Sequence, residues 1–179
     1  MKDKPTAMFQ NACSYSKAAG VLNDLALGSQ SSQRTRDLAV PSAVNAALAL
    51  ELFLKTLYFL ERGEDFEVNG RPSHDFHALY CKIQDQRRQK MDGFFAQRIS
   101  KRSMSDVEQM ERESSLLVPR DLVGNLKSWK DVFVKCRYIH EPPGKAISMF
   151  FFPEIEDSIS DAILALRPEL APLYQARLA

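Results

Sequence analysis

The chain has 179 residues, 45% of them hydrophobic and 26% charged, with a formal net charge of +1. That length supports one sizeable core, residues 1–179 as a single domain, and the near-zero charge excludes a global field that would gather nucleic acid or an anionic membrane. Three cysteines, Cys13, Cys81 and Cys136, are scattered and odd in number, which excludes a disulfide-stapled secreted domain and points to a reducing cytoplasm.

The opening stretch MKDKPTAMFQNACSYSKAAG carries lysines but lacks the continuous apolar core of a signal peptide, so it is expected to stay in the mature protein. Met8, Ala12, Tyr15, Ala19, Leu22, Leu25 and Ala26 recur every three or four residues and predict a first long helix ending near Gly28. The stretch SQSSQRT is its predicted loop. Residues 39–60, AVPSAVNAALALELFLKTLYFL, are apolar on nearly every side. A membrane span there would strand Glu51 and Lys55 in lipid, whereas the central helix of a bundle can bury most of its surface and give its polar groups partners. A core helix with Pro41 in its first turn, and no membrane partner, is therefore expected.

Residues 61–73, ERGEDFEVNGRPS, are rich in turn formers, and Ser73 is placed to cap a helix through Phe76, Leu79, Tyr80 and Ile83. A short helix is expected over residues 91–99, and a weakly packed one within the polar stretch 100–115, where only Met104, Val107 and Met110 keep helical spacing. Pro119 and Asp121 introduce a helix through Leu122, Leu126, Trp129, Val132, Phe133 and Cys136. The apolar run ISMFFF, residues 147–152, flanked by prolines, reads as an extended buried connection. Pro153 starts a last helix with Glu154, Glu156 and Asp157 in its favourable first turn and Ile159, Ile163 and Leu164 on one face. About five helices with short loops, no convincing strand and no repeat predict an all-α, up-and-down bundle.

Chemistry concentrates at the end of the helix ending WKDVFVKCRYIHE, residues 129–141. Arg137 stands three and four residues from His140 and Glu141, so one helical face gathers a permanent cation, an acid/base and a carboxylate. Cleaving RNA without a metal needs a base for the 2′-hydroxyl proton and a cation for the phosphate, roles that His140 and Arg137 fit. Tyr138 can orient a base or phosphate, and Glu141 can hold the imidazole. The structural alternative is as concrete. Glu51 lies in the most apolar helix and needs a partner, with Lys55 one turn away and Arg137 the best distant candidate, while cations in a last helical turn also favour the dipole.

Two further groupings stand out. His74, His77 and Cys81 share a helical face but lack a fourth ligand, so no metal is assigned, and His74 is expected near the Arg137 end of a neighbouring helix. Lys82, Arg87, Arg88, Lys90, Arg98, Lys101 and Arg102 form the most basic region, read first as a solvated face and second as an RNA-backbone contact. No glycine-rich phosphate loop, zinc-binding cysteine pair or nucleophile elbow is present, and no cofactor is assigned.

The core helix SAVNAALALELFLKTLYFL, the segment SHDFHALY and the pattern W–x3–F–x3–RYIHE together resemble the HEPN superfamily over residues 40–141. The resemblance implies a prokaryotic defence or toxin–antitoxin setting and a helical bundle that commonly dimerises. In active members it implies a metal-independent endoribonuclease, in which an Arg, four to six residues and a His on one helix build a composite site with a second protomer. Here Arg137 and His140 are the residues that match, separated by two residues. Other members imply the alternative, a non-catalytic module that dimerises or holds an antitoxin or nucleotidyltransferase partner. The expected ligand class is RNA or a nucleotide.

Overall fold

The computed structural model describes residues 3–137 and 150–177. Its centre is a helical hairpin. Asp3 caps α1 (Lys4–Leu27) by accepting from Thr6 N at 3.0 Å, and Gly28 closes it. Ser31 then caps α2 (Ser32–Arg62) by accepting from Arg34 N at 3.4 Å, so the loop shrinks to residues 28–31. Thr35 Oγ1 donates to Ala26 O at 3.2 Å and Ser42 Oγ to Ala19 O at 2.9 Å, which ties the two helices together antiparallel from the loop downward.

This corrects the expected start of the core helix. Most of SQSSQRT is helical, and Pro41 lies inside α2 rather than in its first turn. Serine at position 31 supplies the cap that moves the start upstream, and Pro41 is tolerated on the exposed side of a helix held by α1. By length and hydropathy α2 is the one helix among the described residues that could cross a membrane, yet Ala46, Ala47, Leu50, Phe53, Leu54 and Leu57 are buried within the protein.

Arg62 ends α2 at Gly63, whose left-handed φ of 73° lets its N–H reach Phe59 O at 2.8 Å. A small hairpin follows, β1 (Glu67–Val68) pairing antiparallel with β2 (Arg71–Pro72). Asn69 and Gly70, with φ of 53° and 70°, form its turn. An Asn-Gly pair is the strongest short hairpin signal, and the expectation of no strand overlooked it.

Shorter helices wrap the hairpin. Asp75 rather than Ser73 caps α3 (Phe76–Lys82), accepting from Ala78 N at 2.9 Å, while Ser73 Oγ accepts from Asp75 N one step upstream. α4 (Asp85–Ile99) is longer than expected, and α5 (Met104–Ser114) forms behind a Ser103 cap with Val107 buried. Asp121 caps the next helix as expected, but the predicted single helix is two: α6 (Leu122–Trp129) and α7 (Val132–Arg137), separated at Lys130 and Asp131. The break lets Trp129 and Val132 both reach the core. Phe151, at φ 57°, turns the chain into α8 (Phe152–Leu164), and a 3-10 turn (Pro168–Leu170) leads to α9 (Ala171–Gln175).

The fold is all-α apart from the two-residue ladder, with more and shorter helices among the described residues than the five expected. α2 is the hub, packing on α1, α3, α7 and α8, while α4 bridges α8 and α6. Phe9, Phe53 and Tyr174 cluster where α1, α2 and α9 meet, and Trp129 packs on Phe152 where α6 meets α8.

Candidate functional site

The buried carboxylate of Glu51 organises the face of α2 that meets α3 and α7. It sits at 6% exposure between Leu50 and Phe53, so each oxygen needs a donor. Lys55, one turn on, donates to Oε1 at 2.6 Å, in the favourable order of acid before base along a helix. His74, in the segment before α3, donates from Nδ1 to Oε2 at 2.8 Å. Lys55 is thus the near partner expected of it, and His74 is a second one that the sequence did not assign to Glu51; the expected pairing with Arg137 falls on a side chain outside the described residues.

His74 is otherwise open to solvent, with a side chain 65% exposed. Its ring stands edge-on to Phe133 with centroids 5.6 Å apart, and Phe133 also packs on Phe76. Phe133 lies one turn before Arg137, which is the last residue of α7. His74 therefore stands against the first turn of α7, the helix that ends at Arg137. α7 is anchored beneath by Val132 and Cys136, both buried, and burial raises the Cys136 thiol above its ordinary value. The Arg137 side chain, Tyr138, His140 and Glu141 lie outside the described residues.

A carboxylate on Nδ1 fixes an imidazole's tautomer and orientation and directs Nε2 outward, the arrangement that prepares a histidine to exchange a proton. Here Glu51 is the orienting group and Lys55 balances its charge. His77 turns elsewhere, its Nε2 lying 3.5 Å from Cys81 Sγ, so His74 does not join these two as a third ligand.

The basic region is largely engaged within the fold. Arg87 meets the buried Glu61 at 3.1 Å, Arg88 pairs with Asp85, Arg98 bonds Asp161 at 2.6 Å, and Arg102 pairs with Glu154. Arg87, Arg98 and Arg102 fasten α4 and the turn after it to α2 and α8, while Arg88 pairs within α4. That arrangement favours a structural use of the arginines over an RNA stripe, a distinction that spacing along one helix does not carry.

A second polar cluster was missed by the sequence. Glu156, expected to serve only the dipole of the last helix, is 1% exposed. Ser16 Oγ donates to its Oε2 at 2.7 Å, and Arg177 Nη1 lies 3.1 Å from Oε1. Arg177 also donates to Asp157 at 2.7 Å and lies over the Tyr174 ring at 4.0 Å. Burial pushes the Glu156 carboxyl up to about 7 despite Arg177, and pushes the nearby Cys13 thiol up to about 12. The one available signal was position: Glu156 adjoins Ile155 and stands one turn before the apolar Ile159 in a helix with three buried isoleucines.

The chain matches no protein-family profile, no curated protein and no solved structure in comparisons with known proteins.

Proposed function

We propose that the protein is a HEPN-like RNA-cleaving module, cytoplasmic and homodimeric, that acts without a metal in a defence or toxin–antitoxin setting. The observation that carries this reading is His74, held at Nδ1 by Glu51 at 2.8 Å and set against Phe133 one turn before Arg137. In the proposed reaction His140 takes the proton of a ribose 2′-hydroxyl as its oxygen attacks the adjacent phosphorus. Arg137 balances the charge on the phosphoryl oxygens. His74, protonated, gives its proton to the departing 5′-oxygen, leaving a 2′,3′-cyclic phosphate and a free 5′-hydroxyl. Each acid/base step is worth about 10²- to 10⁴-fold in rate.

The test is end-group analysis of RNA incubated with the purified protein in EDTA. Cyclic phosphate ends, lost with His74→Ala, are expected; 5′-phosphate ends, or undiminished cleavage by that variant, would reject the assignment of His74.

A second reading has its own support, since Arg87, Arg88, Arg98 and Arg102 are all paired inside the chain while Val21, Leu25 and Leu27 are exposed on α1. On that reading the bundle is a non-catalytic module that pairs with a second copy or with an antitoxin or nucleotidyltransferase partner. Sedimentation at micromolar concentration separates a stable dimer from a monomer, and intact RNA in the same preparation would favour this second reading.

A further inference from the structure

At the other end of α2 from Glu51, a cleft of about 380 Å³ opens between the loop-proximal halves of α1 and α2 and the start of α8. Its walls are small: Ala19 and Gly20 on α1, Ala39 and Ala43 on α2. Its polar end is Glu156 with Arg177. The volume lies within the range of small-molecule sites.

The charges around this end do not balance. Glu156, Asp157 and Asp161 supply three carboxylates, while Arg177 and Arg98 supply two guanidiniums, Arg98 lying 3.8 Å from Asp157 and 2.6 Å from Asp161. The other groups facing Glu156 are neutral. α1 presents Ser16 and the Cys13 thiol, α9 presents the Tyr174 hydroxyl, and α2 lines the cleft with Ser42 and alanines. Glu156 Oε1 also receives no hydrogen bond among the described residues, although Arg177 Nη1 lies 3.1 Å away as an ion-pair partner and donates to Ser16 Oγ. With Glu156 ionised, this part-exposed cluster is short of one positive charge, and the buried Glu156 oxygen short of a hydrogen-bond donor belongs to a residue at the end of a cleft walled mostly by small residues.

We propose that this cleft binds a small primary amine, its ammonium donating to Glu156 and its hydrocarbon body lying along the small residues of α1 and α2. An ammonium supplies both the missing charge and the missing donor. A carboxylate or phosphate ligand would add to the negative excess instead. The proton that burial retains on Glu156 up to about pH 7 does the same electrostatic task in the empty protein, so amine and proton compete.

The test is calorimetric titration of the full chain with benzylamine, using benzyl alcohol as its uncharged twin. Saturable benzylamine binding, about tenfold tighter at pH 8 than at pH 6 because ionised Glu156 rises about tenfold over that interval, is expected, with no binding of the alcohol. Glu156→Gln should abolish binding. Gly20→Leu should do so without altering charge, since a Cβ at Gly20 meets nothing within 4 Å and the longer side chain fills the cleft. No saturation by benzylamine, equal affinity at both pH values, or equal binding of the alcohol would overturn the proposal.

Discussion

Two buried glutamates are held in opposite ways, and stability should report the difference. Glu51 has a donor on each oxygen, so Glu51→Ala strands Lys55, whose side chain is 19% exposed, beside the core. Its cost should be about 1–3 kcal/mol in urea unfolding, whereas His74→Ala, removing a largely exposed ring, should cost less than about 1 kcal/mol. Equal losses would show that the Glu51 cluster is not the packing element described. Glu156 is held less well, and its carboxyl rises from the ordinary 4.5 to about 7. Between those values the native state keeps a proton that the unfolded chain has released. Its contribution is therefore intact below pH 4.5 and falls as pH rises to 7, by a few kcal/mol at most. Wild type and Glu156→Gln should accordingly diverge in unfolding free energy across that window, and parallel pH profiles would contradict the burial of an ionisable group there. The need of Glu51 for partners was legible from a lone acid in an apolar run, and Lys55 was legible from its spacing. The bond from His74 was not, because it depends on how the hairpin β1–β2 returns the chain to α2.

Among the elements, α2 is the most informative because an interior proline interrupts it. Pro41 cannot donate to Asp37 O, and its side chain is exposed, so little packing depends on it. Pro41→Ala should restore one helical hydrogen bond and raise stability by about 1–2 kcal/mol after the greater freedom it gives the unfolded chain. Thermal unfolding checks this, and a lowered midpoint would mean that the proline shapes the hairpin. Helical periodicity made α1, α2, α3 and α8 readable, since each buries a regular face. The break between α6 and α7 was not readable, because Trp129 through Cys136 keeps helical spacing on both sides of it. Only packing against α2 and α3 reveals that two short helices bury those residues better than one.

At the scale of the molecule, one helix serves two regions. The C-terminal half of α2 carries Glu51 and Lys55 toward His74 and α7, while its N-terminal half lines the Glu156 cleft. Arg87, Arg98 and Arg102, which sequence alone grouped into a basic face, instead fasten α4 and the turn after it to α2 and α8. Long-range ion pairs of this kind escape a reading of one chain, because residues 52 or 63 positions apart show no mutual pattern until the fold joins them. The central claim is the proposed one, that Arg137 and His140, working with the Glu51–His74 pair, cleave RNA without a metal. The most direct measurement is the rate of RNA cleavage in EDTA by the purified wild-type chain and by His140→Ala, with helical content verified by circular dichroism. The account predicts cleavage by the wild type and a loss of at least about 10²-fold in the folded variant. RNA left intact by the wild type across varied substrates, or cut equally well by His140→Ala, would contradict it.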